Sequence, residues 1–189
     1  MTVTSKQRVL KIDRSKPFDP CSFFHEKGWR VLGNDKHSLA LTEIDLQAVC
    51  LYENVQRDSF GTRIDGDKAL KMLVKTRHIR LDAKIFQTFR ENQDMIPECF
   101  KKVIRVGRRN ELNEYVRVCC DGTLLVGPRY PINTIMYLEW DDGMAMGTSP
   151  YQDPGTIYQD HEPGWTFSTA YLCDGRLHTD QSAIIKVRK

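Results

Sequence analysis

The spacing of apolar and polar residues changes period twice along the chain, and each change marks a change of element. From Arg8, "RVLKIDRSKPFDP" reads as a short strand closed by Pro17 and Pro20. Neither proline can sit inside a helix or donate to a ladder, so an edge strand and a turn are expected. From Ser38, "SLALTEIDL" sets Leu39 and Leu41 on one face, and "VCLYENV" continues in β-type residues, which places Cys50 in a strand. The period then becomes helical. In "DGDKALKML", Asp65 or Asp67 can cap a helix in which Leu70, Leu73 and Val74 follow at i, i+3 and i+4. In "LDAKIFQTFRENQDM", Asp82 is the cap, Ile85, Phe86 and Phe89 form the apolar stripe, and Ile96-Pro97 ends the helix.

After the basic connection "KKVIRVGRR" the period returns to two and stays there. Asp121-Gly122, Asp142-Gly143 and Asp174-Gly175 each sit between β-rich runs, and both residues of such a pair tolerate the positive φ of a tight hairpin. The pairs predict hairpins of "EYVRVCC" with "TLLVG", "TIMYLEW" with "MAMG", and "TFSTAYLC" with "RLHT". The class expected is α+β: a central helix pair packed on a mostly antiparallel sheet, with a C-terminal β-meander of Asp-Gly hairpins. No repeat, low-complexity tract or linker divides residues 1–189, so one domain is expected. Its parts are N-terminal strands (1–65), a basic helical region (66–110) and an acidic β-hairpin region (111–189).

Charge sharpens that division. The net formal charge is only +3, so the chain is not a general polycation. Residues 66–110 nevertheless hold 12 Lys and Arg against 5 Asp and Glu, whereas residues 111–189 hold 6 against 11. Lys101, Lys102, Arg105, Arg108 and Arg109 crowd one segment, and Lys68, Lys71, Lys75, Arg77 and Arg80 dot the first helix. Two helices and a following hairpin could grip phosphates as a winged helix does, which makes nucleic-acid binding by residues 68–109 one reading. The other is a solvated basic face balanced by the acidic third of the same molecule.

No stretch approaches the roughly 20 apolar residues of a membrane span, and the amino terminus lacks an apolar signal core, so a cytoplasmic protein is expected. Its six cysteines, Cys21, Cys50, Cys99, Cys119, Cys120 and Cys173, are then expected as thiols. No C-x-x-C occurs, and no metal or cofactor is expected. Cys21 and His25 are spaced i, i+4, which would align them on a helix face as half a metal site with Cys173 and His178. The competing reading places them in a packed segment with Phe23, Phe24 and Trp29. Alternation lets at most one of Cys119 and Cys120 face a core. Cys120 reads as the buried one, and Cys119, beside the expected turn, as the more exposed and the candidate nucleophile, with His78, His161 or His178 as base. Glu139, Asp141 and Asp142 read as solvated turn residues. No phosphate-loop, nucleophile-elbow, H-E-x-x-H or dinucleotide glycine signature is present.

The function expected is therefore binding rather than catalysis, with a protein partner and with Tyr151, Tyr158 and Trp165 of the Pro/Gly-rich stretch as aromatic anchors. A nucleic-acid-associated module is the alternative, and a thiol-dependent enzyme around Cys119 the third. The phrases "LKIDRSKPFDP", "SLALTEIDL", "HIRLDAKIFQTFRENQDMIPE", "DGT" at Asp121 to Thr123 and "YLEWDDG" resemble a group of short, uncharacterised bacterial proteins with the same order of phrases. The resemblance runs from about Leu10 to Gly143 and is most specific from "IRLDAK" to "IPE". It implies no activity and transfers no catalytic or binding residue. The chain departs from the group after "YLEWDDG", where "MAMGTSPYQDPGTIYQDHEPGW" is loop-like instead of a tryptophan-rich run of short strands.

Overall fold

The structure, a computed structural model, describes residues 8–52, 63–64, 66–106, 112–129, 132–141, 163–171, 176–177 and 180–186. The elements run β1 (Val9–Lys11), α1 (Pro20–Phe24), β2 (Arg30–Asn34), α2 (Lys36–Leu39), β3 (Glu43–Asp45), β4 (Val49–Tyr52) and β5 (Arg63–Ile64). There follow α3 (Gly66–Val74), β6 (Ile79–Arg80), α4 (Ala83–Glu91), β7 (Val103–Val106), β8 (Leu112–Tyr115), β9 (Arg117–Val126), β10 (Asn133–Asp141), β11 (Gly164–Tyr171), β12 (Arg176–Leu177) and β13 (Asp180–Ile185). The content is mixed α and β, with a main sheet that is mostly antiparallel.

The main sheet has the order β11-β10-β9-β13-β4, with β2 also on β9 and β6 also on β13. The expected "EYVRVCC"–"TLLVG" hairpin is overturned: Asp121 and Gly122 lie inside the ten-residue strand β9. They mark a bulge. Register passes from Met136↔Cys120 to Thr134↔Leu125, so β9 carries Asp121 to Leu124 where β10 offers only Ile135. On the other edge, β9 exchanges partners at the same place. It runs parallel to β13 over Arg117 to Cys119 and antiparallel to β2 over Thr123 to Val126. Between them the Gly122 N–H donates to the Leu81 carbonyl at 2.8 Å, and the Gly122 carbonyl accepts from Asp35 N–H at 2.6 Å. A local turn preference has yielded to hydrogen bonds from distant segments.

The expected meander changes accordingly. β10 pairs with β11 over eight residues, Thr134↔Tyr171 to Asp141↔Gly164, and "MAMG" lies outside the described residues. β12 pairs with β5 and β4 pairs with β13, so the first and last segments of the chain interleave, while Leu172 to Gly175, through which the "TFSTAYLC"–"RLHT" hairpin would close, lie outside the described residues. Asp142-Gly143 and Asp174-Gly175 lie outside the described residues. The basic connection is itself a hairpin arm, β7 on β8 with Val103↔Tyr115 and Arg105↔Asn113. In "SLALTEIDL", Ser38 and Leu39 belong to α2 and only Glu43 to Asp45 form a strand, because Asp35 caps a helical turn by accepting from His37 N–H at 2.9 Å. Pro20 likewise opens α1 at its first position, where a missing N–H costs nothing.

Both helices of the middle region form, but they do not stand together as a pair. Asp82 caps α4 by accepting from Lys84 and Ile85 N–H, each at 3.0 Å, and the helix ends at Asn92, before Ile96-Pro97. Ile85, Phe86 and Phe89 join Val116, Val118, Cys120, Leu125, Met136 and Leu138 in the main core. On the opposite face of β9, Cys119 and Ile135 pack with Leu70 of α3, Leu124 and Tyr137. A helix on each face is not the adjacent pair that a winged-helix grip requires. It also buries both neighbouring thiols: Cys119 is 1% exposed and Cys120 0%.

Polar groups hold the junction where β9 changes partners. Arg14 reaches Asp82 at 2.9 Å and donates to the Leu41 and Ser38 carbonyls, both at 2.9 Å. Arg80 reaches Asp35 at 2.9 Å and donates to the Asp121 carbonyl at 3.1 Å. Thr123 Oγ1 accepts from Ala83 N–H at 2.9 Å and donates to Asn34 Oδ1 at 2.6 Å. Two helix-capping carboxylates thus each spend one oxygen on their own helix and the other on an arginine from elsewhere.

Candidate binding surface at the basic arm

At the rim of the main core, alternation in β10 and β11 brings two tryptophans together. Leu138↔Phe167 and Trp140↔Trp165 are successive cross-strand pairs on the core side. Leu138 is wholly buried and Phe167 packs edge-on against Phe86 of α4, with ring centroids 5.4 Å apart. Trp140 and Trp165, one pair further out, are half-buried and meet edge to face with centroids 5.2 Å apart.

The basic segment enters the same rim. Pro97 starts a 3-10 turn, Glu98–Lys101, whose Phe100 is sunk in the core against Phe89. That anchor fixes Lys101, whose ammonium lies 4.1 Å from the Trp140 ring centre and 3.3 Å from Glu98. The Lys102 carbonyl accepts from Val116 N–H at 2.8 Å, holding the arm against the sheet. Val103, the first residue of the arm, leaves its side chain 44% exposed. Lys101, Trp140 and Trp165 therefore form one contiguous cationic and aromatic surface, with Lys102 and Val103 next along the chain.

The residues singled out in the sequence divide among several fates. Lys101 and Trp165 both meet Trp140, and Lys102 follows Lys101 in the chain. Arg105 lies in β7 opposite Asn113. Arg108, Arg109, Tyr151 and Tyr158 lie outside the described residues. Lys68, Lys71, Lys75 and Arg77 are exposed on and after α3, whereas Arg80 is drawn into the ion pair with Asp35. Trp140 was missed, although Leu138 and Trp140 stand two apart in "TIMYLEW" and so share a face. Glu139 and Asp141 are half-buried strand residues rather than turn residues, with Glu139 3.7 Å from Arg117 and Arg117 4.5 Å from the Tyr137 ring centre. Asp142 lies outside the described residues.

Cys119 and Cys120 are placed against nucleophilic use. Cys119, expected to be the more exposed, is buried, with its Sγ 3.9 Å from the Arg117 carbonyl. Burial, then Asp121 and Asp82, push the Cys120 thiol well above its ordinary range. His78 packs against the Tyr52 ring at 6.0 Å, and His161 and His178 lie outside the described residues, as does Cys173. Cys21 and His25 do not share a helix face: α1 stops at Phe24, His25 takes a left-handed cap with φ 54°, and Cys21 Sγ donates to the Trp29 carbonyl at 3.3 Å. Among the described residues no group of three or more His, Cys, Asp or Glu could hold a metal ion, and no helix is long and apolar enough to cross a membrane. No protein family, curated protein or solved structure matches the chain.

Proposed function

We infer that the chain is a non-enzymatic binding protein and that its partner is another protein, docking where the basic arm meets the tryptophan pair. The observation that carries this reading is the seat of Lys101 over Trp140, itself edge to face with Trp165. Tryptophans already held by a core lose little entropy on docking and make effective anchors. A lysine fixed beside them favours a carboxylate on the partner, and the charge of residues 66–110 would steer an acidic surface toward it. Nucleic-acid association remains the second reading, favoured by exposed Lys71, Lys75 and Arg77, but one cation it would use, Arg80, is already drawn into its pair with Asp35.

A photo-activatable residue placed at Val103, and for comparison at Val74, which is 55% exposed on α3, tests the reading in lysate of the host cell. Protein adducts at position 103 that resist nuclease and disappear with Trp165→Ala are expected. Nuclease-sensitive adducts would favour the second reading, and equal adducts at both positions, or none, would overturn the first.

A further inference from the structure

A pair of thiols with no role assigned above lies in the turn that carries Lys101 and in the neighbouring strand β4. β4 stands at the end of the main sheet's strand order, and the turn Glu98–Lys101 packs against it. Cys99, in that turn, is exposed and points its Sγ at the Val49 carbonyl, 4.0 Å away. That carbonyl is bonded directly to the nitrogen of Cys50, whose thiol is half-buried. Burial first, and the neighbouring Cys50 second, raise the Cys99 thiol above its ordinary value. The other described cysteines are not available to either. Cys21 is held at Trp29, and Cys119 and Cys120 are sealed on the two faces of β9.

The geometry points to Cys50 and Cys99 as a redox site that a low-molecular-weight disulfide converts to an intramolecular disulfide between β4 and the turn before β7. The exposed Cys99 thiolate attacks one sulfur of the reagent disulfide, whose S–S bond breaks and releases the first thiol. The Cys50 thiolate then attacks Cys99 sulfur in the mixed disulfide and releases the second. The two protein thiols lose two electrons and two protons, and the reagent gains both as two thiols. Because the Cys99 thiol is raised above its ordinary value, its thiolate fraction, and with it the rate of the first step, grows with rising pH and does so later than for a free thiol.

The test is treatment of the full chain with oxidised glutathione, followed by alkylation of remaining thiols and peptide mapping. The expected product joins the Cys50 and Cys99 peptides with the loss of two hydrogens and retains no glutathione. Cys50→Ser should instead leave glutathione standing on Cys99, because the resolving thiol is gone. A wild-type chain in which Cys99 keeps its glutathione, or in which Cys99 is joined to any cysteine other than Cys50, overturns the proposal. The wild-type map decides this even if a serine variant fails to fold.

Discussion

The backbone of Gly122 lies so close to that of Leu81 that no other residue fits between them. Its N–H donates to the Leu81 carbonyl at 2.8 Å, and a Cβ built on Gly122 would stand 2.6 Å from the carbonyl oxygens of both Arg80 and Leu81. This contact locks α4's entry to the middle of β9, and the sheet's change of partners depends on it. Gly122→Ala forces backbone against backbone, so a loss of about 3 kcal/mol is expected. Urea unfolding should show a lower midpoint at unchanged slope. An unaltered midpoint would mean that the two segments separate freely.

The paired arginines give a second prediction. Arg80→Ala leaves Asp35 buried beside no cation and is expected to cost roughly 3 kcal/mol. Combining Arg80→Met with Asp35→Ser removes both charges, keeps a side chain able to cap α2, and should cost clearly less than Arg80→Ala alone. Additive losses in this cycle would show that the two side chains do not interact.

Asp82 carries two duties, so its substitutions should separate. Asp82→Asn keeps an oxygen for the Lys84 and Ile85 N–H groups but withdraws the charge from Arg14, whereas Asp82→Ala loses both. The alanine variant should be less stable than the asparagine variant by about 1 kcal/mol, the ordinary worth of a helix cap. Thermal melting of the three proteins measures the order.

The buried thiols predict a pH dependence. The Cys120 thiol ionises at higher pH in the fold than in the unfolded chain, so the stability it contributes is complete below the ordinary thiol range and is lost as pH rises through and beyond it. Denaturation midpoints should fall in alkaline solution, and Cys120→Ala should flatten that fall. In native protein near neutral pH, a maleimide should label Cys99 while sparing Cys119 and Cys120, which become reactive on unfolding. Rapid native labelling of Cys119 would contradict its burial.

At the proposed binding surface, Lys101→Glu should weaken partner capture at least tenfold while changing stability by less than about 1 kcal/mol, since its pair with exposed Glu98 contributes little. Trp140→Ala should weaken capture and also destabilise, because that ring rests on the core rim. Equal loss of binding and of folded protein in both variants would point to a structural effect alone.

What the residues dictated by themselves were the features decided within one turn or one strand. The Asp82 cap, the Ile85, Phe86 and Phe89 stripe, the strand around Cys50 and the alternation of β10 all rest on neighbours a few positions apart, and all are present. The candidate surface was half legible: Lys101 and Trp165 stood out as a cation and an aromatic, but Trp140, which joins them, is defined by register with a strand more than twenty residues away. The fate of Asp121-Gly122 belonged to tertiary structure. A turn preference of this kind is a small local bias, and here it is outweighed by Leu81, Asp35, Thr123 and Ala83 closing hydrogen bonds across 40 or more positions of chain. The same long-range closure put a helix on each face of β9, which is why both thiols of an alternating pair are buried where strand periodicity allows only one per face.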